Sequence, residues 1–177
     1  MKRKQISVKD MTYTALGAAV IAVCSWITIP SAVPFTMQTF GIFAVSGISG
    51  GKRGLCSVLV YILLGAVGLP VFSGFKGGIG VLFGVTGGYI TGFIGLAAVY
   101  YLITGNGGSS TIRQYIGMLS GLAVCYIFGT VWFLISGGGD ILSALAACVF
   151  PFVVPDILKL MLSMAVVKRT GRVIHSC

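Results

Sequence analysis

The sequence predicts an all-α integral membrane protein with six transmembrane helices, a short, proline-interrupted last helix region and two ordered outer loops. Apolar residues make up 56% of the chain and charged residues only 8%, a composition outside the range of soluble globular domains. The net charge of +9 is concentrated in short clusters between apolar runs, which is typical of membrane topology rather than of nucleic-acid binding. We therefore expect residues 1–177 to form a single membrane-embedded domain with no nucleic-acid partner.

Six apolar segments reach or approach the length that spans a bilayer. They cover residues 11–29, 36–51, 54–69, 85–104, 113–135 and 141–167. If the helices alternate in direction, the basic residues between them fall on one side and only Lys76 falls on the other. Because basic residues favour the cytoplasmic side, the sequence predicts that both termini are cytoplasmic. The residues that carry this prediction are Lys2, Arg3, Lys4, Lys9, Lys52, Arg53, Arg113, Lys168, Arg169 and Arg172.

Two outer connections differ from ordinary solvated loops. Residues 29–39 contain two prolines, followed by polar side chains where a spanning helix would be apolar. Residues 68–84 are rich in glycine, yet they include large apolar side chains such as Phe72 and Phe75. Because an exposed loop is normally polar, we expect this second connection to pack down as a lid. The alternative is a loop that rests on lipid at the interface.

The last apolar region is interrupted. Residues 141–150 are typical of a short helix, Pro151 and Pro155 are expected to break it, and residues 155–167 are predicted to form the final helix. That helix would be about 20 Å long, which is less than a hydrocarbon core of about 30 Å. The sequence therefore predicts that the final helix begins below the outer surface, beside a cavity.

Two rare charges lie in this last region. The chain has only three acidic residues, Asp10, Asp140 and Asp156, and an i, i+3 spacing places Asp156 and Lys159 on one face of a helix. Charges within a bilayer are costly unless they are paired, so the pair indicates a functional site. A carboxylate accepts from N–H groups and an ammonium donates to carbonyls. The pair suits a compact ligand that offers both groups; a purely structural ion pair is the alternative.

The sequence does not indicate a catalytic or cofactor site. One histidine and five cysteines without paired spacing lead us to expect no metal site and no disulfide framework. The glycines match neither the phosphate-loop nor the dinucleotide pattern. Acid–base use of Asp156 would lack a second catalytic group nearby. We therefore expect neither a cofactor nor enzymatic activity.

Small residues line one face of the first segment. Ala15, Ala19 and Ala22 follow a small-x-x-x-small pattern, which lets helix backbones approach closely in lipid. Spacing alone does not decide whether this face meets another helix of the chain or a partner subunit. Of the two, we favour the internal contact on the residues alone.

Four motifs are spread from the first outer loop to the last helix. They are residues 33–40 (VPFTMQTF), 65–72 (GAVGLPVF), 86–93 (TGGYITGF) and 151–159 (PFVVPDILK). Together they resemble the BioY family, the biotin-binding S components of energy-coupling factor (ECF) transporters. The resemblance implies six helices in a bacterial cell membrane, cytoplasmic termini, and a biotin site in the outer half that is closed by the first and third connecting loops.

The resemblance also implies roles for particular residues. Asp156 and Lys159 would hydrogen-bond the ureido head of biotin, a cyclic urea with two N–H donors and one C=O acceptor. Other candidate contacts are Tyr89, Phe72 and Phe75 for the apolar walls, Thr36 and Gln38 for loop closure or the region of the ligand carboxylate, Lys76 for attraction of that carboxylate, and Thr86 as a further contact. The face of Ala15, Ala19 and Ala22 would dock on a transmembrane coupling subunit, which is driven by ABC-type ATPase subunits.

The chain departs from the family pattern in two places. The family often has Gly-Pro-Thr-Gly-Gly at the start of helix four, where this chain has Gly84-Val85-Thr86. The third loop of the family often supplies an amide side chain to the ligand, and this chain has no asparagine there. Two alternatives stand beside biotin binding: an S component for another vitamin-sized ligand, and a small membrane enzyme.

Overall fold

The structure, a computed structural model, describes residues 7–30, 34–105, 110–136 and 140–175, and these residues are mostly helical. Two short strands, β1 (Thr28–Ile29) and β2 (Phe35–Thr36), form an antiparallel pair after the first helix. The basic cluster Lys2, Arg3 and Lys4, Val33 of the first motif and the side chain of Arg172 lie outside the described residues. The helices are α1 (Val8–Trp26), α2 (Gln38–Ser49), α3 (Gly51–Val67), α4 (Ile79–Phe83), α5 (Gly87–Thr104), α6 (Thr111–Ile135), α7 (Ile141–Cys148) and α8 (Phe150–His175).

Three stretches of the described chain are long and apolar enough to cross a membrane. They are Gly87–Thr104, Thr111–Ile135 and Ile141–Thr170. The predicted count of six spanning helices is therefore not confirmed. Helices α2 and α3 have 12 and 17 residues, or about 18 Å and 26 Å of helix. Both are shorter than a hydrocarbon core of about 30 Å.

The break in the last region differs from the prediction. Helix α7 ends at Cys148 and α8 already begins at Phe150, so the interruption falls at Val149 rather than at the prolines. The Val149 carbonyl accepts the first backbone hydrogen bonds of α8, from the amides two and three residues beyond Phe150. The prediction that a final helix begins at residue 155 was wrong. Asp156 lies inside the continuous helix α8 and not at a helix start below the outer surface.

The two prolines are compatible with this continuous helix. Pro151 lies in the first turn of α8, where a backbone N–H has no helical partner in any case. Pro155 lies inside the helix, where its missing N–H removes one hydrogen bond, the one that would reach the Pro151 carbonyl. The helix therefore loses a single backbone bond at this point and continues.

Glycines let helices α5 and α6 pack closely. Gly92 on α5 lies against Cys125 of α6, and Gly121 on α6 lies against Leu96 of α5. A Cβ atom added at Gly121 would lie 2.7 Å from the Leu96 carbonyl oxygen, so only glycine allows this approach. Close backbone contact through small residues is the usual mode of helix association in lipid.

Basic residues gather at one end of the bundle. Arg53 at the start of α3 forms an ion pair with Asp10 at the start of α1, with 2.6 Å between Nη2 and Oδ1. Near the end of α8, the Lys168 ammonium lies 5.8 Å from the ring centroid of Tyr115, close to the start of α6. The start of α3 also contacts the end of α5, where the Gly51 amide donates to the Gly105 carbonyl at 3.2 Å. These contacts bring the predicted cytoplasmic segments together.

The loop of residues 68–84 is attached to the opposite end of α1. Ser25 Oγ donates to the Val71 carbonyl at 2.5 Å, and the Trp26 indole N–H donates to the Pro70 carbonyl at 2.9 Å. These bonds satisfy loop carbonyls that would otherwise be left at the membrane surface. These contacts with α1 therefore hold the loop against the protein, as the sequence predicted.

Gly65 on α3 gives a direct test of how this loop is packed. A Cβ atom at Gly65 would overlap the ring of Phe72, so Gly65→Ala should destabilise the fold by about 1–3 kcal/mol through overpacking. Thermal unfolding of the purified protein in detergent measures the effect. Gly80→Ala is the matched control, because a Cβ there meets nothing within 4 Å. Equal unfolding temperatures for the two variants would contradict the packing described.

Candidate functional site

A cavity of about 380 Å³ lies between the two outer loops and helices α2, α5, α6 and α8. Its volume is within the range of small-molecule sites, about 300–1,000 Å³. The structure brings eight of the nine predicted ligand contacts to this cavity. They are Thr36, Gln38, Phe72, Lys76, Thr86, Tyr89, Asp156 and Lys159.

Asp156 and Lys159 form a buried ion pair at the cavity. Lys159 Nζ lies 2.8 Å from Asp156 Oδ1, and the two residues are 3% and 5% exposed. Their i, i+3 spacing on α8 produces the side-by-side arrangement that the sequence predicted. Two opposite charges are thus held next to one another where a ligand can reach both.

Two side chains that sequence reasoning missed complete the surroundings of Asp156. Thr39 Oγ1 on α2 donates to Asp156 Oδ1 at 2.9 Å, and the Tyr126 hydroxyl on α6 donates to Asp156 Oδ2 at 2.7 Å. Hydrogen bonds to an ionised group are stronger than those between neutral groups. Both residues are polar side chains inside apolar segments, and this was the sequence signal that could have identified them.

Lys159 is held by the first outer loop. Its ammonium donates to the Thr36 carbonyl oxygen at 2.6 Å and lies 4.0 Å from the ring centroid of Phe35. The Phe35 ring in turn stacks on Phe152, with 6.1 Å between centroids. Strand β2 therefore covers the charged pair and contacts it directly.

Gln38 connects this region to the interior of the bundle. Its Oε1 atom accepts from Thr36 Oγ1 at 2.8 Å, and its Nε2 atom donates to the Tyr61 hydroxyl at 2.6 Å. These bonds tie the end of the first outer loop to α3. The loop-closure role expected for Thr36 and Gln38 stays a prediction.

The aromatic walls of the cavity rest on glycines. The Phe72 ring lies against Gly65 on α3, and the Tyr89 ring lies against Gly129 on α6; a Cβ at either glycine would overlap the ring. The Tyr89 hydroxyl lies 3.4 Å from Thr130 Oγ1. Both rings are thereby fixed in place as flat apolar surfaces.

Phe75 does not line the cavity, so its expected role as an apolar wall was wrong. Gly74 and Phe75 both have positive φ, 71° and 56°, and this turn directs Phe75 away from Phe72. The Phe75 side chain is 64% exposed and stacks on Trp26, with 5.1 Å between ring centroids. Its contact joins the loop to α1.

The alanine face of α1 is only partly as expected. Ala15 and Ala19 are exposed, which contradicts the internal contact favoured on the residues alone. Ala22 is buried in the core, because it lies on the side of α1 that faces the bundle, so it does not belong to the exposed face. Leu16 and Val20 continue the exposed apolar surface beside Ala15 and Ala19.

Comparisons with known proteins agree on one family. The model of the BioY family matches residues 1–176. A biotin transporter BioY from Thermotoga maritima is 39% identical over 91% of this chain and 95% of its own length. A probable biotin transporter BioY from Pyrococcus horikoshii is 36% identical over 91% of this chain and 95% of its own length.

A solved structure supports the same relationship. It is the S-component for biotin from an ECF-type ABC transporter, which is 27% identical and superposes with a TM-score of 0.82. The match covers 97% of this chain and 95% of that chain. The relatives are membrane transporters, in keeping with the apolar helices described above. This chain belongs to the BioY family.

Proposed function

We propose that this chain is the biotin-binding membrane subunit of an ECF-type uptake system, and that partner subunits supply the energy. The observation that carries the proposal is the buried Asp156–Lys159 pair facing a ligand-sized cavity. Its relatives include named biotin transporters and an S-component for biotin. The chain would act as a binding subunit without enzymatic activity, as a single membrane-embedded domain.

The chemistry of biotin matches the charged pair and the aromatic walls of the cavity. The ureido head offers N–H donors and a carbonyl acceptor, the complements of a carboxylate and an ammonium. In this proposal the head lies on Asp156 and Lys159, and the thiophane ring and valeryl chain pass between Phe72 and Tyr89. Thr86 lines the same cavity and is a further proposed contact.

Lys76 is the proposed partner of the biotin carboxylate. It lines the cavity and is exposed, so its ammonium is available at the mouth. Its backbone carbonyl accepts from the Phe72 amide at 2.9 Å, which fixes the base of the side chain beside an aromatic wall. Thr36 and Gln38 would help to close the first outer loop over the bound ligand.

The exposed face of Ala15 and Ala19 is the proposed docking surface for a transmembrane coupling subunit that ABC-type ATPase subunits drive. Small residues allow a partner helix to approach closely. The basic residues gathered at one end of the bundle support cytoplasmic termini. In this orientation the cavity faces the outer side of the bacterial cell membrane.

Asp156→Asn should weaken biotin binding by about ten- to hundredfold, since it removes a charged acceptor at the floor of the cavity. Calorimetric titration of the purified chain with biotin measures the loss, and thermal unfolding without ligand shows whether the variant is folded. Asp140→Asn is the matched control, because Asp140 is exposed at the start of α7. Wild-type affinity in folded Asp156→Asn protein would refute this part of the proposal.

Lys76→Gln should weaken biotin binding about two- to fivefold, the range expected for an exposed ion pair. The affinity for biotin methyl ester, which has no negative charge, should be the same for wild type and variant. Titrating both proteins with both ligands separates the charge effect from a change in packing. Equal losses for acid and ester would assign Lys76 a role other than carboxylate binding.

Replacing both Ala15 and Ala19 by leucine should abolish copurification with the coupling and ATPase subunits while leaving biotin affinity unchanged. The added side chains would keep a partner helix from close approach. Ala123→Leu is the control, because Ala123 is exposed on α6. A double variant that still assembles fully would exclude this face as the docking surface.

A further inference from the structure

Tyr126 is the one aromatic hydroxyl, among the described residues, that donates to the charged pair. It lies on α6, lines the cavity, and its hydroxyl is 2.7 Å from Asp156 Oδ2. The bond joins α6 to α8. Tyr126 is therefore placed to determine how the carboxylate faces a ligand.

The hydrogen bonds of Asp156 leave little acceptor capacity. A carboxylate has about four acceptor positions, two on each oxygen. Oδ1 already accepts from Thr39 and Lys159, and Oδ2 accepts from Tyr126. Within the described part of the chain, this leaves one acceptor position, which is on Oδ2.

The donors of Lys159 are limited in the same way. An ammonium has three N–H donors. One is used by Asp156 Oδ1 and one by the Thr36 carbonyl, and the Phe35 ring lies 4.0 Å from the same ammonium. The free acceptor on Asp156 Oδ2 is therefore the group of the pair that a ligand N–H can meet.

We infer that Tyr126 is a positioning residue that restricts Asp156 to one free acceptor, so that the pocket recognises only one of the two N–H groups of a cyclic urea. The inference rests on the proposed function. The two N–H bonds of a five-membered cyclic urea point away from each other on opposite sides of the C=O. Because the Tyr126 oxygen and Asp156 Oδ2 are only 2.7 Å apart, both would face the same N–H of such a ligand.

Analogues of the ligand test this asymmetry on the wild-type protein. Replacing one ring N–H of biotin by oxygen gives two cyclic carbamates of nearly the same shape, each lacking a different donor. One carbamate should bind within about threefold of biotin, and the other should bind at least about tenfold more weakly, the cost of an acceptor left without its partner. Two equally weakened carbamates would overturn the inference.

Tyr126→Phe tests the positioning role. Loss of the hydroxyl should weaken biotin binding about tenfold and should bring the affinities of the two carbamates within about threefold of each other. Tyr115→Phe, on the same helix but beneath Lys168 at the other end of the bundle, should keep the wild-type preference. If Tyr126→Phe lowers all three affinities by the same factor, Tyr126 is only a wall of the cavity.

Infrared spectroscopy reads the hydrogen bond directly and does not depend on ligand affinity. The chain has three aspartates and no glutamate, so carbon-13 labelling of the aspartate carboxyl gives few bands, and Asp156→Asn identifies the band of interest. That band should shift in Tyr126→Phe and stay in place in Tyr115→Phe. An unshifted band overturns the inference.

The outcomes separate the inference from the proposed function. Wild-type protein that does not bind biotin contradicts the proposed function. Wild-type protein that binds biotin but treats both carbamates alike contradicts only the inference. If Tyr126→Phe fails to fold, the wild-type carbamate titrations still decide whether one N–H or both are recognised.

Discussion

The structure depends on one requirement: two opposite charges must remain hydrogen-bonded inside an apolar protein. An ion pair that loses one of its partners in such surroundings costs several kcal/mol. Thr39 on α2, Tyr126 on α6 and the Thr36 carbonyl on β2 meet this requirement for Asp156 and Lys159. The pair on α8 thereby fixes two helices and a loop relative to one another, and the cavity is the space above it.

The floor of the site was predictable from the sequence because charge is so rare in this chain. Asp156 and Lys159 could be identified individually, and their spacing alone gave their relative position. Thr39 and Tyr126 could not be assigned to the pair, because their role depends on contacts between helices that are distant in sequence. The start of α8 was also missed, since Pro155 removes only one backbone bond and the rest of the helix continues through it.

For the outer loops as well, the sequence predicted that packing occurs but not which side chains take part. Their apolar composition predicted that residues 68–84 pack on the protein, and they do. Composition does not determine which phenylalanine faces inward, because a turn at Gly74 separates Phe72 in the cavity wall from Phe75 on Trp26. Ala22 likewise shares the small-residue pattern of Ala19, but it faces the core. The residue pattern thus predicted that the loop and α1 make packing contacts. The backbone conformation determines which of their side chains make them.

The contact between the first outer loop and Lys159 is made by the main-chain carbonyl of Thr36. Every amino acid carries that carbonyl, so the contact survives changes of side chain at this position that leave the backbone path unaltered. The loop can thus acquire new residues over evolutionary time, and adjust its surface to a different environment, without releasing the charged floor. Conservation of this contact therefore depends on the path of the backbone and not on which amino acid occupies position 36.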